Sequence, residues 1–136
     1  PCVSFSAAAV RELPGLRCFR THRARWDFEP YAVCIRRDVL ERCGGRPAIY
    51  GDENTWAGLT AIERPYFQLS GDRAQDAQGR RQPDWSVERE WRHLGDLDLS
   101  CLKPDDLVVL VPTVEAARQL QPHSPWPLTL WPGNVS

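Results

Sequence analysis

The chain has 136 residues, enough for one modest hydrophobic core and a single domain. Its hydrophobic fraction of 42% and charged fraction of 26% exclude intrinsic disorder, collagen and coiled coil. With 17 basic and 18 acidic residues the net charge is −1, which excludes coating of nucleic acid by bulk charge and leaves only a local basic patch as a route to it.

Positive charge is carried almost wholly by arginine, since Lys103 is the only lysine. There is no methionine, so a natural N-terminal segment is expected before Pro1, and part of a site could go with it. No apolar run approaches the roughly 20 residues that span a bilayer, so no membrane partner is expected. The cysteines are Cys2, Cys18, Cys34, Cys43 and Cys101, with no C-x-x-C pair. That spacing fits neither a zinc site nor a thioredoxin-type redox motif. All five are expected to be reduced, with Cys2 and Cys34 as small buried hydrophobes. With no signal-peptide pattern, the expected location is the cytoplasm.

In chain order, the alternation of Cys2, Ser4 and Ser6 with Val3 and Phe5 predicts a strand. Ala7–Leu13 reads as a short helical turn ended by Pro14-Gly15. The stretch from Leu16 to Asp27 is basic and has no firm period. Tyr31–Ile35 is a short β-branched run and predicts a buried strand. Asp38, three residues before Glu41, predicts a capping box opening a helix that stops at Gly44-Gly45. A strand follows over Ala48–Tyr50. Trp56, Leu59 and Ile62 at spacing three predict a helix over Asn54–Glu63, and polar Ser70–Pro83 a long loop. Leu97 and Leu99 alternate with Asp96, Asp98 and Ser100. Leu107–Val111 is the strongest buried-strand signal, and Thr113 caps a helix over Val114–Leu120 with Glu115 in its first turn. From 121 to 136 the prolines exclude regular helix, which predicts an extended tail pegged by Trp126 and Trp131.

Chemistry concentrates in Glu88-Arg89-Glu90-Trp91-Arg92. As a strand, it sets Glu88, Glu90 and Arg92 on one face and Val87, Arg89 and Trp91 on the other. As a helix, it sets Val87, Trp91 and Leu94 on one apolar stripe and leaves Glu88–Arg92 an exposed pair of small worth. Periodicity leaves both open. On the strand reading, Arg92 keeps Glu90 ionised, which suits charge stabilisation or sugar binding better than general acid chemistry. A second cluster is Arg17, Arg20, Arg23 and Arg25 with Phe19, His22 and Trp26, which could hold phosphate and stack a base or could be a solvated face near Asp27 and Glu29. His22, His93 and His123 are scattered and lack metal spacing. Trp56, Trp85 and Trp126 read as core.

The order of segments carries a resemblance. A Val3-Ser-Phe-Ser-Ala start precedes Tyr31-Ala-Val-Cys-Ile with Asp38–Gly45, then Arg46-Pro-Ala-Ile-Tyr, then Glu88-x-Glu90-Trp91-Arg92, then Val108-Val-Leu-Val-Pro. From Pro1 to Leu120 this resembles bacterial abortive-infection proteins of the AbiGi type and, more distantly, DarT-type DNA ADP-ribosyltransferases. The family's glycines in the second of these segments are Ala32 and Cys34 here. The resemblance tips Val87–Arg92 toward strand. It implies an α+β fold of ADP-ribosyltransferase-like type, with a small, mostly antiparallel split sheet and short peripheral helices. It also implies Glu90 and Glu88 as catalytic carboxylates, and Ser4, Ser6, Tyr31 and Arg92 around bound NAD.

The expected function is therefore an ADP-ribosyltransferase-like phage-defence or toxin protein, transferring ADP-ribose from NAD to a nucleic acid or protein without a metal, or a degenerate relative of one. Arg17, Arg20, Arg23, Arg25 and Trp26 would form the site's rim. In the alternative the same stretch makes a non-enzymatic nucleic-acid or protein binding module. A metal-dependent nuclease using Asp84, Glu88 and Glu90 is a third reading, without the usual lysine partner.

Overall fold

The computed structural model describes residues 1–16, 19–20, 25–26, 30–70 and 89–132. In chain order its elements are β1 (Cys2–Ser6), α1 (Leu13–Leu16), β2 (Phe19–Arg20), β3 (Arg25–Trp26), β4 (Ala32–Ile35), α2 (Arg37–Arg42), β5 (Arg46–Pro47), β6 (Ile49–Gly51), α3 (Glu53–Gly58), β7 (Phe67–Leu69), β8 (Glu90–Leu94), β9 (Leu107–Val111), α4 (Val114–Leu120) and β10 (Leu128–Leu130). Single 3-10 turns occupy Arg64–Tyr66, Leu99–Cys101, Pro104–Asp106 and Gln121–His123. The class is small α+β with mixed sheets and a few short helices. The chain forms two compact units: Pro1–Ala8 with Glu41–Leu97, and Ala9–Leu40 with Asp98–Ser136.

The first unit holds an antiparallel sheet in the order β1-β8-β5 and a parallel pair, β6 with β7. In the sheet, Ser4 lies opposite Arg92, Ser6 opposite Glu90, and Arg46 opposite Arg92 from the other side. Helix α3 makes the crossover between β6 and β7. Its N-terminus is closed by Asp52, which accepts from the Thr55 N–H at 2.9 Å while the Thr55 hydroxyl accepts from the Asp52 N–H at 3.3 Å. Gly51 must be glycine here: a Cβ on it would stand 2.4 Å from Thr55 Oγ1. Ala8 is the one buried apolar side chain of this unit among the described residues.

The second unit holds the apolar core: Leu13, Val39, Leu40, Leu107, Leu110, Val111 and Ala116. Its sheet runs β10-β9-β4, with β4 antiparallel to β9 and β10 parallel to it. The Leu107–Val111 run has no polar side chain and takes the central position, where both faces are covered. Thr113 Oγ1 accepts from the Ala116 N–H at 3.1 Å and starts α4 as the sequence predicts. Phe19–Arg20 and Arg25–Trp26 form an antiparallel two-stranded pair.

Several expectations change. The Val87–Arg92 strand is present over Glu90–Leu94, with Val87 and Glu88 outside the described residues. Asp38 lies inside the first turn of α2, where Arg36 holds its carboxylate with a fork of 3.1 and 3.0 Å. The helix does stop where predicted: Gly44, at φ 100, donates to the Glu41 carbonyl at 3.0 Å. Pro14 and Gly15 lie within α1 rather than ending it, since proline fits a first helical turn. The Tyr31–Ile35 strand is an edge strand with Val33 exposed, because only β9 flanks it. Of the predicted Ala48–Tyr50 strand, Ile49 and Tyr50 lie in β6, and Ala48 links it to β5, which belongs to the other sheet of the unit. The Asn54–Glu63 helix ends at Gly58. Leu99 enters a 3-10 turn because Asp98 accepts from the Ser100 N–H and hydroxyl. The tail gains order beyond an extended wrap, with Leu128–Leu130 in the sheet, the Trp131 N–H donating to the Val111 carbonyl and its indole N–H to the Pro30 carbonyl. Cys2 is exposed, whereas Cys34 is half-buried and burial raises its thiol pKa. Trp56 is exposed rather than core, lying 5.3 Å from the Phe67 ring and under the Arg64 guanidinium at 5.1 Å. Most of the predicted Ser70–Pro83 loop, and Trp85, lie outside the described residues. No helix among the described residues is long and apolar enough to cross a membrane.

Candidate functional site

The polar cluster of the first unit is built on β8. Arg89, just before it, adopts a left-handed φ of 47°, and its carbonyl accepts from the Ala7 N–H at 3.1 Å. The next N–H, that of Glu90, donates to the Tyr50 hydroxyl oxygen at 3.0 Å, and the Glu90 carbonyl accepts from the Ala48 N–H at 2.8 Å. Glu90 is thereby fixed by backbone contacts on both sides. Antiparallel pairing then sets Glu90 and Arg92 on the sheet face shared with Ser4 and Ser6.

Arg92 donates to Glu90 through Nε at 2.9 Å and NH2 at 3.0 Å, a two-pronged pair. Its other donors go to the Gln68 Oε1 at 2.7 Å, the Phe67 carbonyl at 2.9 Å and the Pro65 carbonyl at 3.1 Å. All five guanidinium N–H groups are used, and one side chain ties the central strand to the Pro65–Gln68 segment. Ser4 adds a hydroxyl bond to Glu90 Oε1 at 2.8 Å. The side chains of Arg92 and Glu90 are only 12% and 16% exposed, so this is a largely desolvated ion pair. Burial pushes the Glu90 carboxyl pKa up, but the bonds from Arg92 and Ser4 and the Arg92 charge outweigh it and hold the pKa below its ordinary value. Glu90 is an anchored carboxylate, able to stabilise positive charge without taking up a proton at neutral pH.

Of the residues singled out in the sequence, Ser4, Glu90 and Arg92 are bonded together, and Ser6 faces Glu90 in register while its hydroxyl accepts from the Ala8 N–H at 3.2 Å. Glu88, Arg17 and Arg23 lie outside the described residues, as do the side chains of Arg20, Arg25 and Trp26. Tyr31 belongs to the second unit and is exposed. Sequence reasoning missed Tyr50 and Gln68. Gln68 had a visible signal, being the polar member of Phe67-Gln68-Leu69 in an otherwise apolar strand, whereas Tyr50 had none. Among the described residues no group of three or more histidine, cysteine, aspartate or glutamate side chains is arranged to hold a metal.

No protein-family model, curated protein or solved structure matches the chain.

Proposed function

We propose that the chain is an ADP-ribosyltransferase-like protein in which Glu90 is the charge-stabilising carboxylate. One observation supports the reading above the rest: Ser4 and Glu90, matched by resemblance to the early serine strand and the late glutamate strand of such proteins, are hydrogen-bonded across adjacent strands. Breaking a nicotinamide–ribose bond develops positive charge on the ribose. A carboxylate held ionised and oriented by two partners before the reaction meets that charge without reorganising. NAD is the proposed donor, and a nucleic acid or protein the proposed acceptor.

A second reading has its own observation. Because Arg92 uses every donor within the protein, the Glu90–Arg92 pair serves equally as an architectural clasp of a non-catalytic relative.

The experiment is transfer from labelled NAD onto single-stranded DNA, RNA or protein, with wild type and Glu90→Gln side by side and their melting temperatures recorded. On the transferase reading, wild type labels an acceptor and Glu90→Gln labels it about 10²–10³-fold more slowly. On the clasp reading, wild type transfers nothing and Glu90→Gln lowers the melting temperature alone. Absence of transfer together with no melting shift on adding NAD removes the enzyme and leaves the binding module.

A further inference from the structure

The row across the first sheet at Arg92 has two flanks, Ser4 on β1 and Arg46 on β5. Residues directly opposite one another in an antiparallel sheet project from the same face, so Arg46 belongs to the face that carries Glu90. The two arginines are in opposite states. Arg92 is largely buried, has no donor left, and has its charge met by Glu90. Arg46 is exposed, and among the described residues it donates through NH1 alone, to the Glu41 carbonyl at 3.2 Å and to the Gly45 carbonyl at 2.9 Å.

Those two carbonyls anchor one end of the guanidinium. The other edge, formed by Nε and NH2, keeps three N–H donors without a protein partner among the described residues, and no carboxylate there lies within ion-pair distance of Arg46. The Nε–NH2 edge is the one Arg92 uses to grip Glu90. It matches two oxygens of a phosphate equally well. An anchored guanidinium loses little freedom when it binds, which raises the affinity of the contact.

We propose that Arg46 is the phosphate-binding residue of the Glu90 face, taking the pyrophosphate of a dinucleotide whose ribose extends toward Glu90. Arg46 lies opposite Arg92 and so is the diagonal neighbour of Glu90, their Cα atoms about 7–8 Å apart. The choice of a dinucleotide rests on the transferase reading; the anion site itself rests on the state of Arg46.

The probe is ADP-ribose, which carries the pyrophosphate and has no nicotinamide to release, so its binding does not depend on catalysis. Calorimetric titration compares wild type, Arg46→Ala and Arg46→Lys, with adenosine as the phosphate-free control and NAD transfer measured separately. The expected result is ADP-ribose binding by wild type, weakened about 10–100-fold by Arg46→Ala, as loss of a charge-assisted pair implies. Arg46→Lys, which keeps the charge but not the fork, recovers part of the loss, and adenosine distinguishes none of the three. Unliganded melting curves check folding; if Arg46→Ala does not fold, Arg46→Lys carries the comparison. Arg46-dependent binding without any transfer upholds the anion site and removes the transferase. Equal binding by all three proteins overturns the anion site while leaving the transferase standing, and failure of wild type to bind ADP-ribose overturns it outright.

Discussion

The Ser4 hydroxyl donates to Glu90 Oε1 at 2.8 Å, joining side chains 86 residues apart in sequence. The bond runs along a five-residue antiparallel ladder, from Cys2 opposite Leu94 to Ser6 opposite Glu90. It gives the carboxylate a second donor besides Arg92, in a unit whose described apolar core is small.

Glu90→Gln is expected to destabilise the protein by about 1.5–3 kcal/mol, since it removes the charge from a hydrogen-bonded, largely buried pair. Ser4→Ala costs less, about 0.5–1.5 kcal/mol, because a neutral donor at an exposed position is lost. Urea unfolding of both variants and of the double mutant checks this. A coupling above about 0.5 kcal/mol is expected, and strictly additive losses would show the two side chains to be independent.

The pH dependence has a definite sign. Glu90 is held below its ordinary pKa of 4.5 in the folded protein, so the folded state resists its protonation. The stability it contributes is complete above the unfolded value and is lost as pH falls through the folded one. Asp52, Glu63 and Asp98 are shifted in the same direction, each chiefly by hydrogen bonds from a neighbouring threonine or serine at the surface. Wild type is expected to lose stability progressively from about pH 4.5 downward. Denaturation curves from pH 7 to pH 3 should be shallower in that window for Glu90→Gln, and identical slopes would exclude Glu90 as a contributor.

Gly51→Ala is expected to cost roughly 1–3 kcal/mol through overpacking, because the new Cβ meets Thr55 Cβ at 2.5 Å and no rotation of Thr55 moves that atom. Thr55→Gly gives up the hydroxyl half of the capping box, keeps the backbone N–H that Asp52 accepts, and makes room. A thermal-melting cycle should therefore find the double mutant less damaged than the two single losses added together.

In the second unit, Leu110→Ala is expected to cost about 2–5 kcal/mol, as the leucine is 3% exposed on the central strand. Thr113→Ala removes the cap of α4 and costs about 1 kcal/mol. Both are read from chemical denaturation midpoints; the order of the two losses is the discriminating result.

What was legible in the sequence was what is decided locally. The alternation at Cys2–Ser6, the unbroken apolar run at Leu107–Val111 and the Thr113 cap each carry their signal within a few residues, and each forms as read. Glu90–Leu94 carried both strand and helix periods, and its partners decide it: Tyr50, Phe67 and Gln68 lie 22 or more residues away, beyond the reach of local periodicity. Asp38 was read as a helix cap, whereas Asp52, which caps α3, was not singled out. Asp38 does not cap α2, because the helix begins at Arg37 and Arg36 engages the Asp38 carboxylate. The resemblance alone set Ser4 and Glu90 in one site, without a bond between them, and Arg46 was passed over because an arginine beside a proline has no distinguishing pattern.

The three-residue strand at the end of the sheet also bears on solubility. Leu107-Val-Val-Leu-Val is uncharged, β-branched and free of proline, the composition that favours cross-β stacking. It is shielded along both edges, by β4 on one side and by Leu128–Leu130 on the other. A chain cut before Leu128 would leave the Val109–Val111 edge without its parallel partner, open to a second molecule. The proline-rich tail thus covers the Val109–Val111 edge of the apolar strand.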